Sequence, residues 1–155
     1  MNFLEQVAAE WYSHKEYFVR TNLKFGKRSE GGYKGEMDVA AFHPGKRELV
    51  HVETSMDADR WEERKSRFAR KFRDARAHRE ELFSFPIEST REIAIVGFAA
   101  TGRKGALGDG IEVKSLAEFV AEISQELRTL HPLKQAIPET LPLLRAMQFA
   151  LHWGK

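Results

Sequence analysis

The sequence predicts a mixed α/β domain in which helices cover a sheet. Three patterns carry that expectation: an opening segment with a helical apolar face, strand-like and hairpin-forming segments after it, and a long helix leading to an apolar strand. Leu4, Val7, Ala8 and Trp11 share one face of a first helix over residues 3–14. Residues 16–25 alternate, with Tyr17, Val19, Thr21, Leu23 and Phe25 on one side, and read as a strand. Two further strands, Glu36 to Phe42 and Glu48 to Thr54, flank HPGKR, whose Pro-Gly pair makes a hairpin turn. A long helix follows over residues 57–83, with Asp57 or Asp59 as N-cap and Trp61, Phe68, Phe72, Ala75 and Leu82 on its buried face. REIAIVGFA, residues 91–99, contains the continuous apolar run of a central strand buried on both faces. After the glycine-rich TGRKGALGDG come a short strand at Ile111 to Val113 and a helix from about Ser115 to Leu130. Ser115 and Glu118 are spaced as a capping box for that helix. Residues 138–152 form a last helix, started by Pro138. The C-terminal strand and helices extend a core of helix, three strands, helix and strand.

Composition narrows the chemistry. With 155 residues, 42% of them hydrophobic and 31% charged, the chain makes one domain with a filled core. It has no cysteine, which removes disulfide scaffolds, thiolate zinc sites, cysteine nucleophiles and iron–sulfur clusters. No apolar run approaches the ~20 residues that span a bilayer, and MNFLEQVAAEWY lacks a basic leader, so a cytoplasmic protein is expected. The net charge is only +2, but its distribution is uneven. From Arg64 to Arg79 there are eight basic residues and one acid, a local charge of +7.

The stretch GEMDVAAFHPGKRELVHVETS, residues 35–55, holds the acids. A two-residue turn at Gly45-Lys46 sets Asp38 directly opposite Glu53, with Cβ atoms roughly 4.5–5.5 Å apart. A turn centred on Pro44-Gly45 instead sets Glu53 opposite Glu36 and Asp38 opposite His51. Either register clusters carboxylates among Val39, Ala40, Leu49, Val50 and Val52. Acids in apolar strands are costly unless paired or metal-bound, and a divalent ion such as Mg²⁺ accepts one or two carboxylates plus water and phosphate oxygens. The competing reading places Glu36, Asp38 and Glu53 on the solvated side of an ordinary hairpin.

The pattern Gly-Glu-Met-Asp-Val-Ala, a short hairpin, then Val-His-Val-Glu-Thr-Ser resembles the PD-(D/E)XK nuclease superfamily. The likeness covers roughly residues 1–100 and implies a restriction-endonuclease-like mixed sheet and a Mg²⁺-dependent (or Mn²⁺-dependent) hydrolysis of phosphodiester bonds in DNA. It implies that Asp38 and Glu53 are metal carboxylates, that the Thr54 backbone carbonyl is a further ligand, and that Glu5 or Glu10 is the acid of the first helix. The family's lysine falls on Ser55, which supplies no positive charge. Two explanations compete. The cation has moved, to Lys65 on the helix face toward the sheet between Trp61 and Phe68, or more weakly to Lys34. Otherwise the site has lost catalysis and the domain is a nucleic-acid-binding or assembly module.

Arg60, Arg64, Arg67 and Lys71 recur at i, i+4, i+7 and i+11, a cationic stripe suited to phosphate, with Arg28, Lys27 and Lys34 extending it. A solvated helix face is the plainer account of the same charges. The six histidines lack His-Glu-x-x-His spacing, and TGRKGALGDG lacks the Gly-Lys-Ser/Thr ending of a P-loop. The last helix carries Leu141, Leu144, Met147, Phe149, Ala150, Leu151 and Trp153, for docking on its own domain or for a homodimer.

Overall fold

A computed structural model describes residues 1–97 and 107–154. The elements are α1 (Phe3–His14), β1 (Phe18–Lys27), β2 (Tyr33–His43), β3 (Glu48–Ser55), α2 (Trp61–Ala77), a single turn α3 (Arg79–Leu82), β4 (Ser89–Val96), β5 (Glu112–Ser115), α4 (Leu116–Leu127) and α5 (Pro142–Trp153). The described strands form one mixed sheet in the order β1-β2-β3-β4-β5, antiparallel through β3 and parallel from β3 to β5. Helix α2 is the crossover that lets β4 run parallel to β3, a connection no tight turn could make.

Burial on both faces explains the composition of the central strands. On one face Val39, Ala41, Val50, Val52, Ile93 and Ile95 pack beneath Leu4, Val7 and Trp11 of α1, Phe119 and Ile123 of α4, and Leu144 of α5. On the other, Phe68 and Phe72 of α2 meet Ala94 and Val96, while Ala75 joins Phe25, Met37 and Ala40. The result is a sheet between two helical layers. No described helix is long and apolar enough to cross a membrane.

The helix starts are set by specific partners. Asn2 and Glu5 form a capping box on α1, and Ser115 and Glu118 form another on α4, as the spacing predicts. Helix α5 begins at Pro142 rather than Pro138. Its first-turn N–H groups of Leu143 and Leu144 donate to Glu10 Oε2 at 2.8 and 2.9 Å, so an acid on α1 supplies the cap. Gln148, fully buried in α5, accepts from the Ile137 N–H and donates to the carbonyls of Leu130 and Gln135. Leu144 thus docks on the domain's own core, with Phe149 and Trp153 left exposed.

Several expectations are corrected. Helix α2 starts at Trp61 behind Arg60, not at residue 57, and neither Asp57 nor Asp59 caps it, because arginines of the helix engage both. The helical path also breaks at His78 before α3. The segment 16–25 does not keep one face. Val19 joins the core beneath α1, whereas Leu23 and Phe25 pack with Met37 on the α2 side. The switch occurs at Asn22, whose φ of +50° interrupts the strand; asparagine tolerates that left-handed conformation better than most residues. Strand β4 spans Ser89–Val96 and β5 Glu112–Ser115, while Phe98, Ala99 and most of the glycine-rich loop lie outside the described residues.

The α2 layer has a measurable consequence. Phe72 has no exposed surface, whereas Phe18 at the sheet edge is 74% exposed. Phe72→Ala is expected to lower unfolding free energy by about 3–5 kcal/mol, and Phe18→Ala by less than about 0.5 kcal/mol. Urea titrations of the two variants beside wild type check the difference.

Candidate active site

The β2–β3 hairpin takes the first of the two registers. Val39 pairs with Val52, Ala41 with Val50 and His43 with Glu48, which sets Asp38 against Glu53. The ladder ends there, because the two acids capture backbone groups. The Asp38 N–H donates to Glu53 Oε1 at 3.4 Å, and the Thr54 N–H donates to Asp38 Oδ2 at 2.9 Å. Asn22, the irregular residue of β1, lies across from Asp38 on the other side, where the β1–β2 pairing skips from Thr21–Val39 to Leu23–Met37. Both neighbours of β2 therefore depart from regular pairing at one residue.

Lys71 of α2 closes the site. Its ammonium donates to Asp38 Oδ1 at 2.8 Å and forms an ion pair with Glu53 Oε2. Asp38 is 5% exposed and Glu53 is fully buried, so without this cation two carboxylates would face each other away from water. His51, two residues before Glu53 on the same strand face, hydrogen-bonds Glu53 Oε1 through Nε2 at 2.6 Å and packs edge-on against Phe72. Burial raises the Glu53 pKa above the usual glutamate range, against the lowering pull of His51 and Lys71. Burial also opposes the Lys71 charge, but Glu53 and Asp38 outweigh it and hold the ammonium above the usual lysine range.

The same helix lays further cations along β3. Ser55 Oγ donates to Asp57 Oδ2 at 2.8 Å, and Arg67 donates to Ser55 Oγ at 3.2 Å. Arg64 donates to Asp57 Oδ1 at 3.0 Å, and Arg67 pairs with both Asp57 and Asp59. Partial burial opposes the charge on Asp57, but the hydrogen bonds from Ser55 and Arg64 prevail and keep its pKa below the usual range. Ser55 thus serves as an anchor for Asp57 where the nuclease pattern has its lysine.

Above Lys71 opens a cleft of about 600 Å³ between the β1–β2 hairpin and α2. Arg28 and Lys34 come from the hairpin, Arg67, Arg70 and Lys71 from the helix, with Glu36 and Asp74 the acids on its lining. Gly35 belongs to this lining because a Cβ there would lie 2.7 Å from the Phe25 ring. Among the described residues, Arg28, Lys34 and Arg70 have no carboxylate partner.

The sequence-predicted residues therefore divide. Asp38, Glu53, Thr54 and Lys71 meet at one point, and Arg28, Lys34 and Arg67 stand on the cleft above it. Lys65 does not join them: half-buried on α2, it makes no ion pair with either acid, and Lys71 holds the position expected of it. The cationic stripe is not a free phosphate surface, since Arg64 is 4% exposed and tied to Asp57. Arg60, exposed, precedes the helix. Glu5 accepts from the backbone and side chain of Asn2, and it is Asn2 that reaches Thr54 Oγ1, at 3.4 Å. Glu10 caps α5 instead. Two further residues join the site without a motif to mark them: Arg70 on the cleft, and His51 as the partner of Glu53, for which the spacing of two along β3 is the signal.

Carboxylate oxygen is the donor type that a hard divalent ion takes. Glu53 Oε2 is wholly buried, and among the described residues its partner is the Lys71 ammonium. One ammonium touching both carboxylates also places Asp38 and Glu53 within reach of a single cation. Among the described residues no group of three or more His, Asp or Glu side chains is arranged around a metal position, so water or backbone oxygens would complete the shell.

Removing the ammonium tests the electrostatics. In Lys71→Met, Glu53 loses a charge that lowers its pKa, so its folded pKa moves further above the unfolded one. Stability present below the unfolded glutamate pKa is then lost as pH rises through the folded value. The stability gap between wild type and Lys71→Met is expected to widen from pH 5 to pH 8, reaching about 3–5 kcal/mol. Urea unfolding at both pH values checks this, and an equal gap at each would contradict it. Comparison with protein-family models, with curated proteins and with solved structures finds no match, so the residues themselves carry the functional reading.

Proposed function

We propose that the protein is a metal-dependent nuclease of restriction-endonuclease-like topology that hydrolyses phosphodiester bonds in DNA, in the cytoplasm. The observation that carries this reading is the pair of buried carboxylates, Asp38 and Glu53, bridged by Lys71, whose side chain also lines a cation-rich cleft. The order helix, three strands, helix, strand and the Gly-Glu-Met-Asp to Val-Glu-Thr-Ser pattern lend further support.

Asp38 and Glu53, with the Thr54 carbonyl, would hold Mg²⁺ or Mn²⁺. The ion supplies a bound water of lowered pKa and neutralises phosphate charge. The chain's own groups do the rest. Lys71 brings a positive charge into contact with both metal carboxylates, the part that Ser55 cannot play, and from there it stabilises negative charge developing on the phosphate. His51 fixes the Glu53 carboxylate through Oε1 and leaves Oε2 as the oxygen facing the cation. Thr54 orients Asp38 by donating its N–H. Arg28, Lys34 and Arg70, without carboxylate partners, hold the phosphate backbone.

A second reading has its own support. Lys71 already satisfies both acids, and a serine stands at the lysine position of the pattern. On that reading the domain keeps the nuclease core as a nucleic-acid-binding or assembly module.

Cleavage of plasmid, single-stranded and branched DNA in Mg²⁺ and in Mn²⁺ separates the two. Wild type is expected to cut at least one substrate, Asp38→Ala and Glu53→Ala to lose about 10²–10³-fold or more, and Lys71→Ala about 10²-fold. Lys65→Ala is expected to stay within about threefold of wild type, its side chain being outside the charge cluster. No cleavage of any substrate, with salt-sensitive DNA binding intact, would overturn the enzyme and leave the binding module.

A further inference from the structure

We infer that the cleft takes a single strand of DNA, or the unpaired end of a duplex, in preference to continuous duplex. The inference rests on the nuclease reading for the chemistry at Lys71 and the two acids, and on three separate observations for the substrate class.

The first is depth. Asp38 is 5% exposed, Glu53 is not exposed at all, and the Lys71 side chain between them is 26% exposed. Lys71 is the one of the three that lines the cleft, so a phosphate in the cleft meets the cluster through its ammonium. The second is size. A cleft of about 600 Å³ has the dimensions of a small-molecule site. It admits roughly one or two nucleotides of one strand, less than two paired strands occupy over the same length. The third is the placement of charge. Arg28 and Lys34 stand on the hairpin wall and Arg70 on the helix wall, all three without carboxylate partners among the described residues. Cations on facing walls clasp one backbone between them, as in a groove that tracks a single strand. A duplex phosphate ridge lying across the surface would meet one wall at a time. A strand whose bases are free to turn aside can bring its phosphodiester down between both walls to Lys71.

The test is fluorescence anisotropy without divalent ions, so that binding is read apart from cleavage. The probes are a labelled single-stranded 12-mer, the matching blunt duplex, and that duplex with a single-stranded tail. The full chain is compared with Arg28→Ala, Lys34→Ala and Arg70→Ala, with circular dichroism confirming that each variant is folded. The single strand and the tailed duplex are expected to bind at least about tenfold more tightly than the blunt duplex. Each variant is expected to weaken single-strand binding and to lower the slope of log K against log salt by about 0.7. Equal or tighter binding of blunt duplex overturns the inference, as does single-strand binding untouched by all three variants, or no binding to any probe. The nuclease reading fails on a different result, the absence of cleavage, which can occur with the strand preference intact.

Discussion

The Lys71 ammonium between Asp38 and Glu53 is the interaction on which the rest of the site depends. Two carboxylates at 5% and 0% exposure cannot both stay ionised beside each other without a cation. The sheet carries them because α2 crosses at the height that delivers Lys71 to both. Phe68 and Phe72 seat the helix on the sheet, and Arg67 at Ser55, Lys71 at Asp38 and Glu53, and Arg76 at Glu92 tie it in the same position.

The acids also shape the backbone around them. Asp38 and Glu53 accept N–H groups that regular pairing would give to carbonyls, and the β2–β3 ladder stops at Val39–Val52. Asn22 turns through a left-handed conformation across from Asp38, which moves Leu23 and Phe25 to the α2 side of the sheet. Phe25 then packs beneath the cleft, and the hairpin beyond it raises Arg28 and Lys34 as one wall. A locally irregular sheet thus produces both the buried charge cluster and the approach to it.

Much of this was legible from residue order. Helix α1 and its buried face, the hairpin with its clustered acids and the capping box of α4 all follow from local spacing, which acts over a few residues, whereas the choice between two hairpin registers did not. The identity of the cation did not. Lys65 and Lys71 both stand at helical spacing from core aromatics, and six residues separate them by ~9 Å along the axis. Which one meets the acids depends on where the helix begins and how it crosses the sheet. Asp57 and Asp59 fold back onto Arg64 and Arg67 instead of capping the helix, so its start lies later than their spacing suggests. The same fold-back made the arginine stripe misleading: charges that look free on a helical wheel are neutralised by a loop that precedes them. Glu10 was ambiguous for a related reason, since the helix end that it caps lies more than 130 residues away.

The proposed function requires Asp38 and Glu53 to form a divalent-cation site beside Lys71. The most direct measurement is electron paramagnetic resonance of Mn²⁺ titrated into the protein, for wild type, Asp38→Asn and Glu53→Gln. Wild type is expected to bind one Mn²⁺ per chain, competed by Mg²⁺ and lost from both folded variants. Mn²⁺ binding unchanged in the variants, or absent from wild type, would contradict it.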